Sequence, residues 1–170
     1  SVKFKKRYGY IDKEGNVVIE CKFNYAEEFE GDLAIVSLED KYGFINKDGE
    51  FVIEPKYDEA MQFNEGFAAI KLGEKKGYIN LSGKLIVEPK YDEVNFFMDG
   101  RAAVKSGYMW GYIDSEGTEI VPPKFIDAND YSEGLASVQI GGKIAYIDKQ
   151  GKVVIDAIYD YAYEFNGGIA

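Results

Sequence analysis

The sequence predicts an all-β fold in which five copies of a 34-residue repeat close into a ring. Three observations predict it. Glycines recur at Gly9, Gly43, Gly77 and Gly111, with Ala145 in the fifth place, and again at Gly15, Gly49, Gly83, Gly117 and Gly151, both series stepping by 34 without insertion. Apolar residues run in threes to fives between turn signals and never sustain a helical i, i+3, i+4 pattern. Finally, Gly168-Ile169-Ala170 read on into Ser1-Val2-Lys3-Phe4 closely matches Gly134-Leu135-Ala136-Ser137-Val138-Gln139-Ile140. That match puts the two termini on one shared strand, as in a five-bladed, β-propeller-like toroid whose last strand is completed by the N-terminus and whose seam leaves no sheet edge. The alternative is an open β-solenoid, which asks for distinct polar caps at its ends. The chain of 170 residues reads as a single repeat domain, with repeats at approximately 6–39, 40–73, 74–107, 108–141, and 142–170 together with 1–5.

Residues 40–73 serve as the type unit. Tyr42-Gly43-Phe44-Ile45-Asn46 is the first strand, and Asn46-Lys47-Asp48-Gly49 the turn after it. Asx at the first position bonds back to its own backbone and glycine at the last supplies φ > 0, which suits a type I turn with a glycine bulge between antiparallel strands. Phe51-Val52-Ile53-Glu54 is the second strand, ended or placed at an edge by Pro55, which cannot donate to a ladder. Tyr57-Asp58-Glu59-Ala60 is a candidate third, short strand. Glu65-Gly66 turns the chain again, and Phe67-Ala68-Ala69-Ile70-Lys71 is the last strand. Val17-Val18-Ile19 and Ala34-Ile35-Val36 are apolar on both strand faces, so these strands are expected to be covered on both sides by neighbouring repeats.

Composition narrows the function. The net charge of −10 and the absence of a basic patch argue against a nucleic-acid partner. No apolar run is long enough to insert in a bilayer, and Ser1 to Lys6 do not read as a signal peptide. The single cysteine, Cys21, permits no intramolecular disulfide and leaves the compartment open. Histidine is absent, which removes the commonest general base and metal ligand. No nucleophile–base pair or metal cluster can be assembled, so neither an enzyme nor a cofactor is expected. Glu20, Glu54, Glu88 and Asp156 form one ladder and Lys22, Lys56, Lys90 and Lys124 another. They read as a solvated edge with weak Glu–Lys pairs, because too few oxygens fall at calcium-loop spacing. Asp12, Asp114 and Asp148 are turn residues, and Cys21 occupies a slot that is proline in three repeats.

Three segments carry a family resemblance: Trp110-Gly111-Tyr112-Ile113-Asp114, then Pro123-Lys124-Phe125, then Glu133-Gly134-Leu135-Ala136. Together they resemble the bacterial WG (KWG) repeat, and the resemblance covers the whole chain. The tryptophan is kept once, the other repeats having Tyr8, Tyr42, Lys76 and Ile144, and Ala145 replaces a motif glycine. The resemblance implies a repeat scaffold with interaction roles and no shared catalytic residues.

In a repeat protein, shared positions build the scaffold, so a partner surface is sought where one copy departs from the rest. Phe96 stands where other repeats have Glu28, Gln62, Asp130 and Glu164, and Met98 where they have Glu30, Asn64, Ser132 and Asn166. Tyr108 replaces Asp40, Glu74 and Gly142; Met109 replaces Lys41, Lys75 and Lys143; Arg101 replaces Leu33, Phe67, Leu135 and Ile169. Aromatic, Met and Arg enrichment is the composition of an interface core. These residues, with Trp110, are expected to form one exposed patch for a protein partner. A second, weaker patch is Tyr25, Tyr161 and Tyr163, brought together if the ring closes. The alternatives are a glycan or cell-wall binding module using exposed tyrosines, and a structural spacer in a longer repeat array.

Overall fold

A computed structural model describes all 170 residues. The strands are β1 (Val2–Phe4), β2 (Arg7–Ile11), β3 (Val17–Phe23), β4 (Tyr25–Ala26), β5 (Ala34–Leu38), β6 (Lys41–Ile45), β7 (Phe51–Tyr57), β8 (Glu59–Ala60) and β9 (Phe67–Leu72). They continue as β10 (Lys75–Asn80), β11 (Leu85–Tyr91), β12 (Glu93–Val94), β13 (Arg101–Ser106), β14 (Met109–Asp114), β15 (Glu119–Phe125), β16 (Leu135–Ile140), β17 (Lys143–Asp148) and β18 (Val153–Tyr159). All pair antiparallel with their chain neighbours in five sheets: β1-β2-β3, β4-β5-β6-β7, β8-β9-β10-β11, β12-β13-β14-β15 and β16-β17-β18. No helix is long and apolar enough to cross a membrane.

The turns form as their residues dictate. Asn80 Oδ1 accepts from the amides of Ser82 (3.1 Å) and Lys84 (3.0 Å), the Gly83 amide donates to the Asn80 carbonyl, and Gly83 lies at φ +77°. A β-carbon at Gly83 would also sit 2.9 Å from the Ile53 side chain of the preceding sheet. Gly83→Val is therefore expected to lower stability by about 1–2 kcal/mol or more, from left-handed strain alone, while Lys84→Val does little. Equal shifts in thermal midpoint at the two sites would contradict the turn.

Pro55 does not end its strand. β7 runs through it to Tyr57, across a register shift between Tyr42 and Phe44. The proline sits where the ladder is already broken by a bulge, so its missing amide costs no sheet hydrogen bond. The same bulge presses the strands together: a β-carbon on Gly77 would lie 2.3 Å from the Val87 carbonyl oxygen.

The core lies between successive sheets. Ala34–Val36, Ala68–Ile70, Ala102–Val104 and Ala136–Val138 are buried along their length, as runs apolar on both faces require. Val17 and Val18 depart from that expectation: both are exposed and only Ile19 is covered, because β3 is an outer strand with one wet face. Each repeat carries a tilted or edge-on ring pair at the equivalent place, Tyr10–Phe29 and Phe44–Phe63 at 4.8 Å, and Tyr78–Phe97, Tyr112–Tyr131 and Tyr146–Phe165 at 4.9 Å. The Tyr10, Tyr78, Tyr112 and Tyr146 hydroxyls each donate to a backbone carbonyl 17 residues on. Burial pushes the Tyr10 phenol up to about 12.

One hydroxyl breaks the pattern. Tyr91 donates to Glu119 Oε1 at 2.7 Å, but the equivalent Tyr57 hydroxyl is buried without a partner, since Leu85 stands in the place of Glu119. Phe23 and Phe125 fill this place elsewhere. Tyr57→Phe is expected to raise stability by about 1–2 kcal/mol by removing an unsatisfied group, and Tyr91→Phe to lower it. Chemical denaturation of the two variants reads the opposite signs.

Ring closure through the shared strand does not form. Val2–Phe4 take the expected register on β2, Val2 opposite Gly9 as Val138 is opposite Ala145. Ile169 instead closes a local turn with Asn166, and Glu133 Oε1 and Oε2 take the amides of Gly167 and Gly168. With its polar groups satisfied by the preceding repeat, the C-terminal segment makes no strand pair or hydrogen bond with residues 1–23.

Candidate functional site

The second, third and fifth copies carry one surface ion pair, where the first copy has Arg7 and Asn24. Lys41 pairs with Asp58, Lys75 with Asp92 and Lys143 with Asp160, always 17 residues on. The lysine opens one strand and the aspartate follows the end of the next. Asp58 also accepts the Gly73 amide at 2.7 Å and Asp92 the Gly107 amide at 2.7 Å, while Asn24 accepts the Glu39 amide at 3.1 Å. The ammonium first, then the amide, hold the Asp58 and Asp92 carboxyls below the usual carboxylate range. In the fourth copy the lysine is Met109 and the aspartate is Ile126. Both halves of the ion pair have become apolar.

Met109 and Ile126 line a groove between the fourth and fifth sheets, with Phe125, Ile140 and Val153 as its other large apolar walls and Lys124 as its only charged one. Ile126 is 60% exposed and Met109 is also exposed. Tyr108, on the turn before Met109, is 90% exposed. The Gly141 amide, equivalent to the capped amides of Gly73 and Gly107, has no acceptor in the protein.

The residues singled out in the sequence do not form one patch. Met98 bridges Arg101 at one end of β13, while Ser106 faces Met109 at the other, about 17 Å away at the usual rise per residue. Met98 touches the Asn64 side chain. The Arg101 guanidinium is tied to the carbonyls of Gly100 (2.9 Å) and Lys149 (3.2 Å), which makes it a strut to the fifth sheet. Phe96 is exposed beside buried Phe97, on the segment leading to the Met98 turn. Trp110 is half-buried against the core, with Lys105 Nζ 5.5 Å from its ring centroid. Of these residues only Met109 lines the groove, with Tyr108 next to it in the chain. Ile126 was missed, although its slot is readable: Asn24, Asp58, Asp92 and Asp160 stand there in the other copies.

The tyrosines fall into two separate sets. Tyr25 packs edgewise on Tyr8 (6.1 Å) and Tyr42 (5.9 Å), whereas Tyr161 and Tyr163 lie 5.9 Å apart at the far end of the chain. The lysine ladder is also corrected. Lys22, Lys56, Lys90 and Lys124 lie over the rings of Phe23, Tyr57, Tyr91 and Phe125 at 4.8–5.2 Å and make no ion pair with Glu20, Glu54 or Glu88.

Asp130 is a half-buried carboxyl that accepts from Asn95 Nδ2 at 2.9 Å. Burial raises its pKa and the Glu164 charge adds to the rise, against the Asn95 bond. A raised carboxyl binds its proton more tightly folded than unfolded, so its contribution to stability falls as pH climbs from about 3.9 through the folded value. Asp130→Asn, which keeps an acceptor, is expected to melt higher than the parent at neutral pH, with the gap closing toward pH 3. A constant gap would deny the shift.

Five small antiparallel sheets in chain order, with a surface that varies from copy to copy, define an all-β repeat protein. More particularly, the chain belongs to the family of the WG containing repeat, whose pattern matches residues 8–42, 42–75, 77–109, 110–143 and 145–170. No curated protein sequence matches it. Among solved structures, Hsv2p of Kluyveromyces lactis is 17% identical with a TM-score of 0.46, over 72% of this chain and 46% of that one, so the chain spans less than half of Hsv2p. The computationally designed Ika4 protein is 10% identical with a TM-score of 0.46, over 76% and 88% of the two chains. A plant albumin from Cicer arietinum showing hemagglutination is 13% identical with a TM-score of 0.30, over 79% and 91%.

Proposed function

We propose that the chain is a non-catalytic scaffold that binds a protein partner, docked in the groove of Met109, Ile126, Ile140 and Val153. The observation that carries this reading is the matched replacement of the Lys–Asp pair by Met109 and Ile126. The scaffold folds with the ion pair in three copies, so the apolar pair answers no demand of the fold. Contiguous exposed apolar surface of this kind marks contact sites. Exposed Tyr108, the residue before Met109, offers an aromatic anchor of the type that dominates interfaces. The test is quantitative affinity capture from extracts of the source cell, with the native chain and the Met109→Lys/Ile126→Asp chain as parallel baits. A partner held by the first and lost from the second supports the reading; identical capture sinks it. A glycan-binding reading draws on Tyr161 and Tyr163, exposed side by side. Glycan-array binding that vanishes in Tyr161→Ala/Tyr163→Ala would favour it instead.

A further inference from the structure

We propose that the ligand of this groove is an acidic protein segment, which places an aspartate or glutamate carboxylate on the free Gly141 amide and an adjacent aliphatic or aromatic side chain against Met109 and Ile126. This rests on the interaction reading above and names the partner's chemistry. Three features converge on it. In the first three copies the amide at the Gly141 position is capped from within the chain: Glu39 by the amide oxygen of Asn24, Gly73 by Asp58 and Gly107 by Asp92. Ile126 cannot accept a hydrogen bond, so in the fourth copy the same turn presents the same donor outward, uncapped. The donor geometry that suits a carboxylate is thus shown twice within the molecule itself.

The charge around it has the matching sign. The chain carries a net charge of −10, yet the groove contains no carboxylate, and its one charged wall, Lys124, forms no ion pair. A carboxylate arriving at Gly141 meets an amide and an ammonium in a place from which the protein's own acid has been removed. Beside it, Met109, Ile126, Ile140 and Val153 offer an apolar wall. An aspartate or glutamate next to a large apolar residue fits both halves. A neutral segment would leave the amide to water, and a basic one would face Lys124.

The test uses the intact chain and a phage-displayed random heptapeptide library as the probe, followed by titration of the best peptide and its Asp→Asn or Glu→Gln twin. The readout is the affinity ratio of acid peptide to amide twin, measured on three forms of the protein. The native chain is expected to prefer the acid peptide by about tenfold, the span of a charge-assisted over a neutral hydrogen bond. Ile126→Ala, which thins the apolar wall without capping the amide, is expected to bind both peptides more weakly at an unchanged ratio. Ile126→Asp, which restores the residue found at Asp58 and Asp92, is expected to cap Gly141 from within and bring the ratio to about one or below. The Gly141 amide resonance should move on binding of the acid peptide and not of its twin. A ratio of one on the native chain, with binding still abolished by Met109→Lys, overturns the carboxylate inference and leaves the docking reading standing. Peptides indifferent to Met109→Lys, or no enrichment at all, overturn both.

Discussion

Restoring the ion pair with Met109→Lys/Ile126→Asp is expected to weaken the partner by roughly 1–3 kcal/mol per anchor, or about a hundredfold for the two together, while the fold melts no lower than the parent. The reasoning separates surface from scaffold. Met109 and Ile126 are exposed, so their removal opens no cavity. The replacements are the residues of three sister copies, where they form Lys41–Asp58, Lys75–Asp92 and Lys143–Asp160. Exposed pairs of this kind are worth little in themselves, so no large stabilisation is expected either. Calorimetric titration of the captured partner, run beside thermal unfolding of both forms, reads the two effects separately. Unfolding of the double variant would show that the apolar pair supports the sheet interface.

Gly77→Ala is expected to cost about 3 kcal/mol, a large effect for one methyl group, because the new carbon overpacks a site walled by backbone. It would lie 2.3 Å from the Val87 carbonyl oxygen, 2.8 Å from the Pro89 nitrogen and 2.9 Å from the Glu88 carbonyl carbon. None of these can swing aside as a side chain would. Gly43 and Gly111 face the same wall, each with a proline nitrogen 2.7 Å away. The fifth copy carries Ala145, and there the proline position is Ala157. A strand freed of its proline ring has room to shift, so Gly77→Ala combined with Pro89→Ala is expected to recover part of the loss. Denaturation midpoints of the single and double variants decide it; a silent Gly77→Ala would mean that the bulge relaxes unaided.

Much of this architecture is legible in the bare sequence. The Asx–x–x–Gly turns are local chemistry, and the Ala-rich strands are apolar on both faces because sheets cover both faces. Pro55 misleads because its meaning depends on the bulge opposite Gly43, which no local rule displays. The groove was half legible. Met109 stands out against its sister lysines, but the weight of Ile126 emerges only once the lysine's partner 17 residues away is known. Phe96, Met98 and Arg101 were grouped with Met109 by closeness along the chain. The length of β13 separates them, since an antiparallel meander carries neighbouring turns to opposite ends of a sheet.

The turn that holds the C-terminal segment also bears on how the array comes apart. Glu65 takes the amides of Asp99 and Gly100, Asp99 takes that of Gly134, and Glu133 takes those of Gly167 and Gly168. Each carboxylate thus belongs to one repeat and each amide to the next. These are coupling terms between neighbours, and in a linear array such terms set how far an opening propagates. The chain of clasps is missing its first link, since Gly31 stands where Glu65, Asp99 and Glu133 stand later. Amide exchange should therefore be polar along the molecule, with the first copy opening independently and the second to fifth protected as a block.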